Sequence, residues 1–259
     1  MLHEMFTQPI LLDVPFSDLA IVCLAAVVAG LARGFSGFGG ALIFVPLASS
    51  IAGPKVASAL LLVIDGLMTI GMVPNAWRHA NRREVFTVVA GALVGVPAGT
   101  ALLALAPSLT VRWIISAIVL LLLLFLISGK RYAGPPKTHL GVGVGGVAGL
   151  FGGAAQMSGP PVVAYWLGGA MPASVVRANL VLYFAISTVI STVSYLFAGL
   201  LTVQVITLAL VAGPSYGLGV LAGSRFFGLA SEQTFRWICF GLIACAALIS
   251  LPLFDALRT

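Results

Sequence analysis

RGFSGFGGALIFVP, residues 33–46, and GLFGGAAQMSGPP, residues 149–161, decide how this chain is read. Each is a cluster of glycines inside an apolar stretch, closed by proline a few residues on. Glycine reaches positive φ and lets backbone approach backbone or ligand. Such clusters break a helix rather than fill it. In a membrane, broken backbone is tolerated only where protein buries it or where it lines a watery cavity.

That the setting is a membrane follows from composition. Of 259 residues 60% are hydrophobic and 8% charged, with 13 Lys+Arg and 7 Asp+Glu, and mean hydropathy is +1.14. Soluble domains carry roughly a quarter charged residues, so the outer surface must face lipid. The run from Ile114 to Ile127 is broken only by Ser116. Segments 85–106, 172–201 and 235–254 each reach the ~20 residues of a spanning helix.

Outward from the two breaks, five apolar segments (18–34, 38–53, 55–74, 85–106, 111–128) precede the loop GKRYAGPPKTH, 129–139. Five more follow (140–156, 159–170, 172–201, 202–223, 235–254). The expected organisation is therefore a first membrane repeat over 1–128, a cytoplasmic linker over 129–139 and a second repeat over 140–259. Residues 95–113 align with 219–237 without a gap, sharing Gly95/Gly219, Gly99/Gly223, Arg112/Arg236 and Trp113/Trp237. Upstream, Gly34-Phe35-Ser36-Gly37 is set against Gly149-Leu150-Phe151-Gly152.

Loop charge orients the halves. With the N-terminus outside and an odd number of crossings per half, Arg78, Arg82, Arg83, Lys130, Arg131, Lys137, Arg177, Arg225 and Arg236 all fall on the cytoplasmic side. The positive-inside rule then favours inverted repeats. The fold expected is an all-α polytopic membrane protein of two inverted repeats, each opening with short glycine-interrupted half-helices, as full crossings or as re-entrant hairpins. The net charge of +6 is topology, not a nucleic-acid surface. Cys23, Cys239 and Cys245 lie in apolar segments without disulfide or metal spacing. Glu4, Asp13 and Asp18 stand where a signal peptide would be basic, so no cleaved signal is expected.

A helix that starts after a break presents unpaired N–H groups and a positive dipole end, which together favour an anion. The expected substrate-binding residues are Ser36, Gly37, Phe38, Gly39 and Gly40 from one break, and Gln156, Met157, Ser158 and Gly159 from the other. The alternative for either break is close helix packing. The fingerprint of a dinucleotide or P-loop site is missing around GFSGFGG.

Asp65 is the acid set deep in an apolar segment, and the expected role there is proton coupling or gating, against a carboxyl that merely bonds a neighbouring helix. Arg177 and Asn179, which open segment 172–201, are expected to bind substrate as well; Arg177 either attracts the anion or anchors the cytoplasmic end, and Arg33 carries the same two readings. Asn75, after Pro74, reads as a cap or turn at a helix end. The hydroxyls of Ser187, Thr188, Ser191, Thr192 and Ser194 read as back-bonded to their own helix. His3, His79 and His139 lie in tail or loops, and no catalytic constellation can be assembled at membrane depth. Neither enzyme chemistry nor a cofactor is expected.

The pattern G-x-x-G-x-G-G with a downstream proline, in Gly34, Gly37, Gly39, Gly40 and Pro46, with Gly152, Gly153, Gly159, Pro160 and Pro161 in the second half, resembles the TauE/SafE family of sulfite exporters and organosulfonate permeases. The resemblance runs from about residue 18 to 254. It implies transport of small sulfur-containing anions such as sulfite or organosulfonates across a bacterial inner membrane. The expected function is a secondary exporter working by alternating access with proton coupling, its partners the anion and the lipid bilayer. An anion channel of the same fold, or a scaffold whose glycines only pack, are the alternatives.

Overall fold

Proline and glycine set where the helices begin and end. The computed structural model describes residues 15–130, 132, 134, 137–167, 171–226 and 232–253. In chain order the helices are α1 (Phe16–Ser36), α2 (Gly40–Ala52), α3 (Pro54–Ile70), α4 (Val73–His79), α5 (Arg82–Leu105), α6 (Ser108–Ile127), α7 (Thr138–Ala155), α8 (Gly159–Leu167), α9 (Ala173–Phe197), α10 (Val203–Phe226) and α11 (Glu232–Ser250). No strand occurs among the described residues.

The ten apolar segments each correspond to one helix. The addition is α4, bent 65° from α3. Pro74, read from sequence as the end of a helix, instead sits in the first turn of a new one, where a missing N–H costs nothing. Asn75 is therefore inside α4, and its carbonyl lies 2.9 Å from His79 Nδ1.

Among the described residues, six helices (α1, α5, α6, α7, α9 and α10) are long and apolar enough to cross a membrane, and the bent pair α3–α4 makes a seventh if taken as one span. By contrast α2 has 13 residues and α8 has 9. At 1.5 Å per residue these reach only ~20 Å and ~14 Å, short of the roughly 30 Å of hydrocarbon. Each short helix folds back on the long one before it, α2 on α1 and α8 on α7.

The two hairpins open at opposite ends of α5. Lys55, just past the first hairpin, donates to the carbonyl of Ala104 at 2.7 Å, near the end of α5. In the second, Gly141 faces the methyl of Thr87, near the start of α5, and Tyr165 donates to the carbonyl of Lys137 at 3.3 Å.

The most extensive helix contacts are α5 with α7 and α1 with α10, each pairing a helix of one sequence half with one of the other. Glycine makes both possible. A Cβ on Gly91, Gly95 or Gly99 would overlap the carbonyls of Val142, Gly146 and Leu150 on α7, respectively. On α10, a Cβ on Gly219 or Gly223 would overlap those of Val27 and Leu31 on α1. The glycines aligned from sequence, 95 with 219 and 99 with 223, thus do the same job in exchanged partnerships.

The upstream alignment needs correcting by one helical turn. Gly34 abuts the carbonyl of Val220, and it is Gly153, not Gly149, that abuts the carbonyl of Val96 in the same way. The helix ends agree: Gly37 (φ 77°) and Gln156 (φ 58°) both end their helices in left-handed conformation, and α2 and α8 both start on the third residue after, at Gly40 and Gly159.

Buried apolar side chains form two clusters. One draws chiefly on α1, α2, α3, α6, α10 and α11. The other is built by α4, α5, α7, α8 and α9. Neither corresponds to a sequence half.

Candidate functional site

Where the tips of the two hairpins meet, the chain leaves a cavity. Its walls are Phe38 to Leu42 at the first break and Gln156 to Pro160 at the second. Arg33 of α1, Leu61, Leu62, Asp65 and Gly66 of α3, Phe184, Ser187 and Thr188 of α9, and Tyr216 of α10 complete it. The tips touch directly: a Cβ on Gly159 would lie 3.1 Å from the Cβ of Phe38. The volume is about 60 Å³. By a measure in which one water needs about 10–15 Å³, that is room for on the order of five waters, or one small ion.

The first break is held by its own polar groups. Gly37 caps α1 through its N–H to the carbonyl of Arg33 at 2.9 Å. Gly39 (φ 97°) turns the chain into α2. Ser36 donates to the carbonyl of Ala32 at 2.7 Å and contacts that of Phe38. The N–H of Leu42 bonds the carbonyl of Gly39 at 3.1 Å. The earlier N–H groups, of Gly40 and Ala41, belong to the helix-start donors that have no carbonyl one turn back.

The second break differs in its donors. Pro160 and Pro161 remove two N–H groups from the first turn of α8, so the Gly159 amide stands nearly alone there. Side chains compensate: Ser158 lines the cavity, and Gln156 donates from Nε2 to the Tyr195 hydroxyl at 3.2 Å. That hydroxyl in turn donates to the carbonyl of Gly153 at 2.8 Å. Gln156 is the non-glycine residue at positive φ among the described residues, a conformation that costs of order 1–3 kcal/mol and recurs at ligand sites.

Among the described residues, two charged side chains line the cavity, and they are paired. Arg33 Nε donates to Asp65 Oδ1 at 2.8 Å, and the Tyr216 hydroxyl donates to the same oxygen at 2.7 Å. One terminal nitrogen of Arg33 bonds the carbonyl of Gly37, and the other is 3.5 Å from the Thr69 hydroxyl. The guanidinium carbon lies 5.5 Å from the centre of the Phe184 ring, within range of a cation–π contact.

Of the residues expected from sequence, Phe38, Gly39, Gly40, Asp65, Gln156, Met157, Ser158 and Gly159 are brought together around the cavity. Ser36 and Gly37 lie on the same break but do not line it. Arg177 and Asn179 stand elsewhere. Arg177 is exposed in the first turns of α9. Asn179 is buried, and its Oδ1 accepts from the N–H of Asn81 at 2.7 Å, joining α9 to the start of α5. Of the hydroxyls on α9, Thr192 is back-bonded as expected, to the carbonyl of Thr188 at 2.8 Å, whereas Ser187 and Thr188 line the cavity. Tyr216 was missed from sequence: it is one of 5 tyrosines, and the packing of α10 against α3 and α1 brings it to Asp65.

Comparison with known proteins gives two matches. A family model described as Sulfite exporter TauE/SafE matches residues 22–249. A curated protein of Cupriavidus necator (strain ATCC 17699 / DSM 428 / KCTC 22496 / NCIMB 10442 / H16 / Stanier 337), described as a probable sulfite/organosulfonate exporter TauE, is 27% identical over 238 residues, covering 85% of this chain and 89% of the relative. No solved structure matches at a significant level.

Proposed function

Because the chain belongs to the sulfite exporter TauE/SafE family, we propose that it is a secondary transporter exporting a small sulfur-containing anion, sulfite or a short organosulfonate, across the inner membrane of a bacterium. The substrate occupies the cavity where the hairpin tips meet. One observation carries this: the N-termini of two half-length helices and a basic side chain converge on a space of small-ion size. Helix N-termini and fixed cations both favour an anion, most strongly where water is scarce.

Movement follows the two apolar clusters. The repeats, over 1–128 and 140–259, are read as inverted, in line with the hairpins opening at opposite ends of α5. The glycine-packed pairs tie each first helix into the other half, so the bodies that rock are the two mixed clusters and not the halves. The cavity lies on their seam, with Arg33, Asp65, Met157 and Tyr216 on one side and Phe184 on the other. Asp65 takes the coupling or gating role, because it holds the cavity's cation. Arg33 from α1 and Tyr216 from α10 are the charged and titratable groups that face it.

The test is efflux from proteoliposomes loaded with sulfite, a short sulfonate or a matched carboxylate. Saturable efflux of the sulfur anions, weakened when Gln156 and Ser158 are both changed to alanine, supports the reading. Ohmic current without saturation would identify a channel, and no flux of any of them from a folded protein would overturn the assignment. If Asp65→Asn leaves the response to a pH gradient intact, Asp65 has no coupling role.

A further inference from the structure

We propose that the Arg33–Asp65 pair sets the charge of the transported species: the cavity is built for a monoanion, which takes over the guanidinium while Tyr216 retains the carboxylate. This rests on the reading that the cavity is the substrate site. It names the substrate class within it as hydrogensulfite or a sulfonate, as opposed to dianionic sulfite or sulfate.

The geometry of the pair supports an exchange. An arginine that grips a carboxylate for structure frequently does so with its two-pronged fork, two parallel N–H groups on two oxygens. Here Arg33 gives Asp65 a single bond from Nε. Its two terminal nitrogens face the carbonyl of Gly37 and, at 3.5 Å, the hydroxyl of Thr69. Guanidinium carries five N–H donors, so two remain for an anion seated beside the break.

The carboxylate has a second holder. Tyr216 donates to the same Oδ1 that Arg33 uses, so Asp65 keeps a donor when Arg33 turns to the substrate. A fully buried tyrosine on a different helix from both partners is placed for that purpose. With no substrate, Arg33 and Asp65 neutralise one another and the empty cavity holds no bare charge.

Charge counting then selects the ligand. Arg33 and Asp65 are the charged side chains that line the cavity among the described residues, and they sum to zero. The N-terminus of α2 acts as roughly half a positive charge, and that of α8, left with little more than the Gly159 amide, adds less. Together they offset at most about one negative charge. A monoanion leaves the site near neutrality, whereas a dianion leaves an excess negative charge in a region where uncompensated charge is strongly disfavoured.

The experiment is calorimetric titration of purified protein, at one fixed pH, with methanesulfonate as monoanion and sulfate as dianion. Wild type is expected to bind methanesulfonate at least ten-fold more tightly than sulfate. Asp65→Asn adds one net positive charge to the cavity, and the sulfate affinity should rise at least ten-fold until the preference is lost or reversed. Tyr216→Phe should weaken both ligands while keeping their ratio, because Asp65 then holds Arg33 harder. Arg33→Gln should lose both. Equal wild-type affinity for the two anions overturns the proposal even if no variant folds. Loss of binding in Arg33→Gln with an unchanged ratio in Asp65→Asn overturns it and leaves the cavity as the site. Binding unaffected by Arg33→Gln in a folded protein removes the cavity itself.

Discussion

The two breaks share a backbone and differ in chemistry. Matched by their packing, Gly37 stands where Gln156 does, Phe38 where Met157 does, Gly39 where Ser158 does and Gly40 where Gly159 does. Arg33 faces Gly152 in this correspondence, and Tyr216 faces Ala92. The first break therefore holds charge and free helix amides, while the second holds an amide, a hydroxyl and two prolines. A chamber lying between matched hairpins needs its cation once. Repeating Arg33 on the other side would double the positive charge without adding a substrate. On the proposed reading of the halves as repeats, divergence at a few positions turned one half into the charged wall and the other into the neutral one.

If the scaffold is the symmetric part, damage to its two glycine ladders should be equal and large. Gly99→Val drives side-chain atoms into the carbonyl of Leu150, and Gly223→Val does the same at Leu31. Each should cost at least ~3 kcal/mol, beyond the ordinary range for overpacking, because backbones must separate. Thermal unfolding in detergent would show whether both fall together; an undamaged Gly223→Val protein would mean that only one ladder bears load.

A smaller target is the seam. Gly66 of α3 approaches Thr188 of α9 closely enough that a Cβ would lie 3.0 Å from the threonine methyl. A cysteine pair at these positions should close a disulfide, and efflux should stop and return on reduction. Cysteines replacing Ser116 and Ser250, whose hydroxyls are 3.2 Å apart on helices of one cluster, should cross-link without stopping efflux. Blockage by both would contradict motion between the two clusters.

The mildest effects separate the breaks from each other. Ser158→Ala removes a hydroxyl from the cavity wall and should weaken anion binding a few-fold, as for one neutral hydrogen bond of about 1 kcal/mol. Ser36→Ala, at the other break, removes bonds to the chain's own carbonyls and should change anion binding less than two-fold by calorimetry. The reverse order would put the first break's serine in the site.

Much of this was legible beforehand. Glycine clusters and proline marked both breaks, and the apolar runs gave every long helix. Seven of the nine break residues expected to bind, Phe38, Gly39, Gly40, Gln156, Met157, Ser158 and Gly159, do line the cavity. The register of the upstream repeat was not legible, because Gly141, Gly145, Gly149 and Gly153 recur once per turn and match equally well one turn along. Ser36 was indistinguishable from a lining residue, since sequence places it on the break but does not say which way a hydroxyl turns. Asn179 gave no sign that its partner would be a backbone amide at the start of α5. Tyr216 meets Asp65 through the packing of α10 against α3 and α1, a long-range consequence of topology.

The most direct test of the central claim is a crystal structure with bromomethanesulfonate, located by the anomalous scattering of its bromine. The account predicts its sulfonate oxygens within hydrogen-bonding distance of the Arg33 guanidinium and the Gly40 amide, with Asp65 held by Tyr216. A bromine peak outside the space between the hairpin tips, in protein that binds the compound in solution, would contradict it.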